Sequence, residues 1–309
     1  MFGLSRIDGL LLLMTVIWGT NYSIVKHAFR EIDPQAFNAG RMLIASSVFL
    51  ALIVGARRVR RPAGIVSTPA PITTPDWMWL IGLGVVGHFL YQYLFIGGLA
   101  RTSVANSSLM LGATPVVIAL ITAGLGLDRI SRLHWAGAAL SLLGIYVVVG
   151  SGAQLGGQHL TGDLLMAGAV LCWALYTIAA RRLMERHSPV GVTGISMIVG
   201  SVLYVLLVNA RIRGTDWSAV SAATWFAIVY SALFALCIAY TIWYAAVREI
   251  GSTRTSVYSN LVPLVAMVTA IVFLGEPLVP AKLAGAAAVL IGVALTRVGR
   301  TQPVIPAEE

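Results

Sequence analysis

Long apolar stretches alternate along the chain with short polar segments. Each stretch is about as long as an α-helix must be to cross a hydrocarbon core of ~30 Å at ~1.5 Å per residue. The sequence lacks the period-two alternation of a membrane β-barrel. We therefore predict an all-α integral membrane protein of ten transmembrane helices. They cover residues 9–29, 36–55, 78–99, 103–123, 133–150, 163–181, 190–209, 224–246, 254–274 and 281–298.

The polar segments differ in length and composition. The longest runs from Arg57 to Asp76 and holds four arginines followed by four prolines, which predicts a solvated loop. The polar, proline-containing C-terminus predicts a disordered tail from about residue 299. The first apolar stretch ends in Lys26 without the small-residue cleavage site of a signal peptide. We interpret it as a retained first helix.

The composition agrees with a membrane protein. Of 309 residues, 58% are apolar and 11% are charged, against about 25% charged in a typical soluble domain. The mean hydropathy is +0.86. Ten crossings with short loops use the whole length, so we expect one membrane domain and no separate soluble domain.

We interpret the net charge of +9 as a signal for the orientation of the protein in the membrane. Basic residues that flank membrane helices concentrate on the cytoplasmic side, so we exclude nucleic acid as a partner. If the N-terminus is cytoplasmic, fourteen of the 21 basic residues lie inside and seven lie outside. We therefore predict that both termini are cytoplasmic.

The second half of the chain repeats the first. Residues 136–144 and 284–292 share six of nine positions. At an offset of 155 or 148 residues the matches include Trp18 with Trp173, Pro34 with Pro189, and Pro115 with Pro263. The offset changes because the first half carries the longer loop. We predict two repeats, residues 1–150 and 151–309, of five helices each. Since five is odd, the second repeat is inverted, as in many secondary transporters.

Short motifs carry a family resemblance over nearly the whole chain. They are Trp18-Gly19-Thr20-Asn21 with Lys26, Pro34 and Arg41; Ser103-Val104-Ala105-Asn106-Ser107-Ser108 before Pro115; and Gly275-Glu276-Pro277 before Gly285 and Gly292. The sequence thereby resembles the EamA domains of the drug/metabolite transporter superfamily. The resemblance implies ten helices in two inverted halves, and export of amino acids, metabolites or drugs across a bacterial inner membrane.

The sequence departs from this family pattern at two positions. Asp128 stands where the first copy usually has Glu, and Ser196 stands where the second copy would repeat Arg41. We therefore do not assume that the two halves contribute equally.

Polar and aromatic side chains share faces on several otherwise apolar helices. Such groups are costly in lipid and should point inward, so we predict a cavity near the midplane where the repeats meet. The predicted substrate-binding residues are Trp18, Asn21, Tyr22, His88, Tyr91, Gln92, Trp173, Tyr176, Tyr240, Tyr244, Ser256 and Asn260. Pro115 and Pro263 are predicted helix breaks, with structural kinks that touch no ligand as the alternative.

The predicted wall suits a small amphiphilic solute, uncharged or zwitterionic. Lys26 and Arg41 lie near helix ends, so we expect them to snorkel to the interface. Without a deep basic cluster, phosphorylated solutes are disfavoured. The acidic residues lie at helix ends, in loops or in the tail, which leaves His88 as the membrane group that could titrate.

No motif of an ATPase, a metalloprotease or a serine hydrolase is present. Cys172 and Cys237 lie within apolar stretches and form no metal-binding or disulfide pattern. We therefore expect no cofactor, no metal and no enzymatic activity, with a small molecule and the bilayer as partners. The predicted function is secondary transport. Two alternatives are a membrane-embedded enzyme using His88 and nearby tyrosines, and a non-transporting scaffold or sensor.

Overall fold

Long helices, ten among the residues that the structure describes, make up most of this part of the chain. The computed structural model describes residues 5–58, 64–67, 70–126, 128–150, 158–275, 280–298 and 301–303. The helices are α1 (Arg6–Ala28), α2 (Pro34–Arg58), α3 (Thr74–Arg101), α4 (Val104–Gly124), α5 (Arg132–Gly150), α6 (Gln158–Met184), α7 (Pro189–Gly214), α8 (Ala222–Ile250), α9 (Ser252–Leu274) and α10 (Pro280–Val298).

Eight of these helices, all except α5 and α10, are long and apolar enough to cross a membrane. Their outward faces expose large apolar side chains such as Leu206, Phe226 and Phe273, each more than 60% exposed. Apolar surface on this scale fits lipid rather than water. The protein is therefore an all-helical, multi-pass membrane protein, as the sequence predicts.

Side-chain caps begin several of the helices. Ser5 accepts a hydrogen bond from the Asp8 N–H at the start of α1, and Asp8 accepts one from the Ser5 N–H. Thr73 and Asp76 form the same reciprocal pair at the start of α3. The first backbone N–H groups of a helix have no partner within it, so these pairs fix where each helix begins.

Two helices contain a π-helical segment at equivalent places in the two halves. In α3 it covers Gly84–Leu90, and in α8 it covers Ser231–Ile238. A π turn interrupts the regular i→i−4 ladder and often occurs at functional sites. Each segment lies directly before a polar aromatic stretch that begins near Tyr91 or Tyr240.

Helices α4 and α9 are broken just before a proline. In α4 the helix ends at Gly112 and restarts at Thr114, with Pro115 in the new first turn. The Thr114 hydroxyl donates to Leu111 O at 2.5 Å, the carbonyl that Pro115 cannot serve. In α9 a 3₁₀ turn over Val257–Leu261 precedes Pro263.

Helices α5 and α10 pack closely along a seam of small residues. A Cβ atom at Gly144 would lie 2.6 Å from Gly285 O, and one at Gly292 would lie 2.5 Å from Gly137 O. Such distances leave no room for any side chain, and small residues allow backbones to approach in this way.

Two polar segments make backbone hydrogen bonds with other parts of the protein. Thr301–Pro303 in the predicted disordered tail forms a strand, β2, antiparallel to β1 (Asp128–Ile130). In the proline-rich loop, Ile65 O accepts from the Val190 N–H at 3.1 Å, so this part of the loop packs against the start of α7. Both segments satisfy their backbone groups with protein partners. The remaining residues of the tail lie outside the described residues.

Candidate functional site

Aromatic side chains from α1, α3, α6 and α8 form one cluster. The ring of Trp18 lies 5.7 Å from that of Trp173 and 5.9 Å from that of Tyr240, both edge-on. The ring of Tyr91 lies 5.0 Å from that of Trp173. Such pairs are worth about 0.5–1.5 kcal/mol each beyond their buried area. The cluster therefore forms a firm wall that joins the two halves of the chain.

A hydrogen bond fixes Trp18 to the π segment of α8. The indole N–H donates to Ala235 O at 3.0 Å, and Ala235 lies within Ser231–Ile238. Where the regular backbone ladder is interrupted, a side chain can take the place of a backbone partner. The π segment thus positions an aromatic residue of the opposite half.

This cluster borders an internal cavity between the helices. Seven of the predicted site residues line it, namely Trp18, Asn21, Tyr22, Tyr91, Gln92, Trp173 and Tyr240. Nine further residues line the cavity and are not predicted from the sequence, namely Arg41, Phe95, Ser108, Leu111, Thr114, Ala235, Leu236, Ser259 and Val262. Most of the nine are apolar or hydroxyl-bearing residues of ordinary membrane helices, so no sequence signal separates them from packing residues.

Three predicted residues form a layer next to the cavity wall. His88 Nε2 and the Tyr176 hydroxyl are hydrogen-bonded at 2.8 Å, and that hydroxyl is 3.1 Å from Ser196 Oγ. The ring of Tyr244 lies 5.1 Å from that of Tyr176, and the ring of His88 lies 5.7 Å from that of Tyr240. The structure therefore gives this layer contacts that support the cavity wall.

Ser256 and Asn260 are not among the residues that line this cavity. The Ser256 hydroxyl donates to Thr253 O at 2.8 Å, and Asn260 Nδ2 lies 3.5 Å from Ser141 Oγ on α5. The 3₁₀ turn in α9 advances about 120° per residue instead of 100°. This rotation brings Ser259 to the cavity instead.

The breaks at the two prolines border the same cavity. Thr114 precedes Pro115 and Val262 precedes Pro263, and both preceding residues line the cavity wall. Pro115 and Pro263 themselves are buried in the first turn of the helix that follows each break. The two broken helices therefore contribute their irregular backbone where the cavity is.

Arg41 is the principal correction to the predicted site. The sequence predicts snorkelling, yet Arg41 is only 2% exposed and lines the cavity. Its Nε donates to Asn38 Oδ1 at 2.5 Å and one terminal nitrogen, Nη2, donates to Gln92 Oε1 at 2.7 Å. Gln92 in turn donates to the Tyr240 hydroxyl at 3.1 Å. The sequence carried a signal, because Asn38 and Arg41 are three residues apart and so share one helix face.

Lys26 also differs from the prediction. Its Nζ donates to Leu99 O at 2.7 Å, Ala100 O at 3.1 Å and Thr102 O at 2.9 Å. These carbonyls belong to the end of α3, where helical carbonyls lack partners and the helix dipole attracts a cation. Lys26 therefore caps the C-terminal end of α3, and it does not extend to the membrane interface.

Glu31 joins the loop after α1 to the start of α8. Its carboxylate accepts hydrogen bonds from the Thr224 hydroxyl, the Ser221 N–H and the Ser221 hydroxyl. These bonds favour the charged form, so they hold the pKa of Glu31 below its ordinary value, with the Thr224 hydroxyl as the largest cause. The contact fixes the helix that carries Ala235 and Tyr240.

The fold and the cavity together define a class of protein: a multi-pass helical membrane protein with an internal cavity lined by aromatic and polar side chains. The sequence model of the EamA-like transporter family matches residues 5–150 and again residues 160–298. Since these matches cover most of the chain, the protein belongs to the EamA-like transporter family, as the sequence predicts.

Several curated proteins are similar along nearly their whole length. An uncharacterized transporter of Bacillus subtilis, YyaM, is 26% identical over 92% of this chain and 91% of its own. A probable amino-acid metabolite efflux pump of Salmonella typhimurium is 29% identical over 94% of both chains. A probable terminal-alkyne amino-acid exporter of Streptantibioticus cattleyicolor is 28% identical over 94% and 93%. These names are those of transporters, not enzymes.

A solved crystal structure has the same fold. It superposes with a TM-score of 0.73 over 96% of this chain and 98% of its own, at 20% identity.

Proposed function

We propose that the protein is a secondary transporter that exports small amphiphilic metabolites such as amino acids, by alternating access to the cavity beside Trp18 and Trp173. The observation that carries the proposal is this aromatic cavity, shared by helices of both halves. A site that both halves build can open to either side as the halves move against each other. The names of the relatives from Salmonella and Streptantibioticus support an amino-acid-like solute.

The proposal includes ten transmembrane helices in two inverted repeats, residues 1–150 and 151–309. Contacts between equivalent residues support it. Ser46 and Ser201, 155 residues apart, share a hydrogen bond of 2.8 Å, and Gln92 and Tyr240, 148 residues apart, share one of 3.1 Å. Residues on a two-fold axis meet their own equivalents. The spacings are the two offsets found in the sequence.

The glycine seam between α5 and α10 supports the same symmetry in a second way. At the offset of 148 residues, Gly137 is equivalent to Gly285, and Gly144 is equivalent to Gly292. In the structure Gly144 contacts Gly285, and Gly292 contacts Gly137. Such reciprocal contact is what a two-fold interface requires. We therefore include α5 and α10 among the membrane crossings, although each has only 19 residues.

The proposed location is a bacterial inner membrane, with both termini in the cytoplasm. The fourteen-to-seven distribution of basic residues supports this orientation. From a cytoplasmic N-terminus, two crossings place the loop after α2 inside and seven crossings place the loop after α7 outside.

The test is flux through the purified full-length protein in proteoliposomes. Vesicles loaded with a panel of labelled neutral and aromatic amino acids should lose at least one of them faster than protein-free vesicles. Tyr91→Ala should weaken the apparent affinity for that solute several-fold to tens of fold, since it removes a ring from the wall. Tyr146→Ala is the matched control, because Tyr146 is 73% exposed on α5. Equal flux with and without protein for the whole panel would overturn the proposed function.

A further inference from the structure

The charge of Arg41 has no acidic partner within the part of the chain that the structure describes. Its two side-chain partners, Asn38 and Gln92, offer neutral amide oxygens. A charge buried in a membrane protein is costly unless it is paired, and unpaired ones usually belong to a functional site. The protein therefore keeps a full positive charge beside the cavity at a cost that its own contacts do not offset.

The guanidinium group also keeps free donors. Its second terminal nitrogen, Nη1, is buried and has no hydrogen-bond partner among the described residues. Nε and Nη2 are already fixed by Asn38 and Gln92, so the group is held in one orientation before any solute arrives. Two neighbouring guanidinium nitrogens present the parallel donors that match the two oxygens of a carboxylate.

The rest of the cavity has a different chemistry. Phe95, Leu111 and the rings of Trp18, Trp173 and Tyr91 give it an apolar, aromatic character. No Asp or Glu is among the described residues that line it. The site thus offers strong donors for an anion and no acidic group for a cation. An ammonium group would find aromatic faces and neutral oxygens such as those of Ser108 and Ser259, which offer it no opposite charge.

From these observations we propose that Arg41 binds the carboxylate of the transported solute, with Gln92 as the residue that positions the guanidinium group. This inference rests on the proposed transport function and adds the substrate class: an apolar or aromatic monocarboxylate. The amino group of an amino acid is then dispensable for binding, while its carboxylate is essential.

The first experiment measures binding to the purified full-length protein in detergent, by calorimetry and by quenching of tryptophan fluorescence. The probes are L-phenylalanine, 3-phenylpropionate, which lacks the amine, and L-phenylalaninamide, which lacks the carboxylate. We expect the two carboxylates to bind and the amide to bind at least about tenfold more weakly, since a charge-assisted pair is lost. Equal binding of acid and amide, or no binding of any probe, would overturn the inference.

Variants separate ligand binding from a purely structural role of the charge. Arg41→Lys keeps the positive charge but loses the two parallel donors of the guanidinium group. It should weaken carboxylate binding, while the thermal midpoint stays close to that of the parent protein. Gln92→Glu supplies the missing acidic partner within the protein. It should abolish binding of L-phenylalanine while the thermal midpoint is kept or raised. Unchanged binding by Gln92→Glu would show that Arg41 is structural.

Flux measurements distinguish failure of this inference from failure of the proposed function. If vesicles export amides and acids equally well, transport stands and the role of Arg41 is refuted. If carboxylates bind in an Arg41-dependent way yet no solute of the panel crosses the membrane, the site stands and the transport proposal fails.

Discussion

Trp18 combines three functions in one side chain. Its ring is part of the aromatic wall, its N–H holds the π segment of α8, and its position at the cavity gives it access to a solute. A substitution of Trp18 that removes only one of these functions therefore shows how much that function contributes.

Trp18→Phe should keep the aromatic contact but lose the hydrogen bond to Ala235 O. We expect the free energy of unfolding to fall by about 1–2 kcal/mol, because a buried carbonyl loses its partner. Denaturation in mixed micelles would measure it. Trp77→Phe is the control, because Trp77 is 45% exposed. A loss no larger than that of the control would mean that the hydrogen bond contributes nothing to stability.

At the scale of single helices, stability depends on how closely α5 and α10 approach. Gly144→Ala would place a Cβ atom 2.6 Å from Gly285 O, and the backbone there has little freedom to move. Overpacking of this kind typically costs about 1–3 kcal/mol.

We expect Gly144→Ala to lower the thermal midpoint clearly. Gly9→Ala on α1 is the matched control, because nothing lies within 4 Å of its added Cβ and alanine is the better helix former. The control should be neutral or slightly stabilising. If both variants behaved alike, the seam would not be tight in the membrane.

The sequence predicts most helices because crossing a bilayer imposes length and apolarity on each one separately. Features that depend on neighbouring helices are not encoded in this way. The 3₁₀ turn in α9 alters which face Ser256 and Asn260 present. No local sequence pattern marks this turn or the π segments of α3 and α8. The place of Arg41 near a helix end predicts that it reaches the interface, whereas its partner Gln92 lies on another helix. Contacts between helices determine where these side chains lie.

The Glu31 contact leads to a prediction about pH. Because its pKa is lowered in the folded protein, the carboxylate contributes stability that is fully present above its ordinary pKa of ~4.3 and is lost as the pH falls below it. The thermal midpoint of the parent should therefore exceed that of Glu31→Gln at neutral pH. The difference should shrink below about pH 4. Glu185→Gln, at an exposed position after α6, is the control. A difference that does not change with pH would exclude this role for the charge of Glu31.

At the scale of the whole molecule, the two ends of α7 report the orientation. Ile65 contacts the start of this 26-residue helix, and Ala219 follows its end, so the two lie on opposite sides of a bilayer. In a variant without Cys172 and Cys237, Ala219→Cys should react with an impermeant thiol reagent added to intact cells. Ile65→Cys should react only after permeabilisation. The reverse pattern would place both termini outside.

The Ser46–Ser201 pair on the proposed axis has a thermodynamic consequence. If the two halves were identical, the two-fold axis would convert the inward-open form into the outward-open form, and the two would have equal free energies. Arg41 in one half aligns with Ser196 in the other. This difference breaks the equality, so one form is more populated in the resting protein. Such a bias changes the apparent affinity seen from each side of the membrane by the fraction of competent molecules. It leaves the final distribution of an uncoupled solute unchanged, because a catalyst of exchange cannot shift an equilibrium that it does not drive.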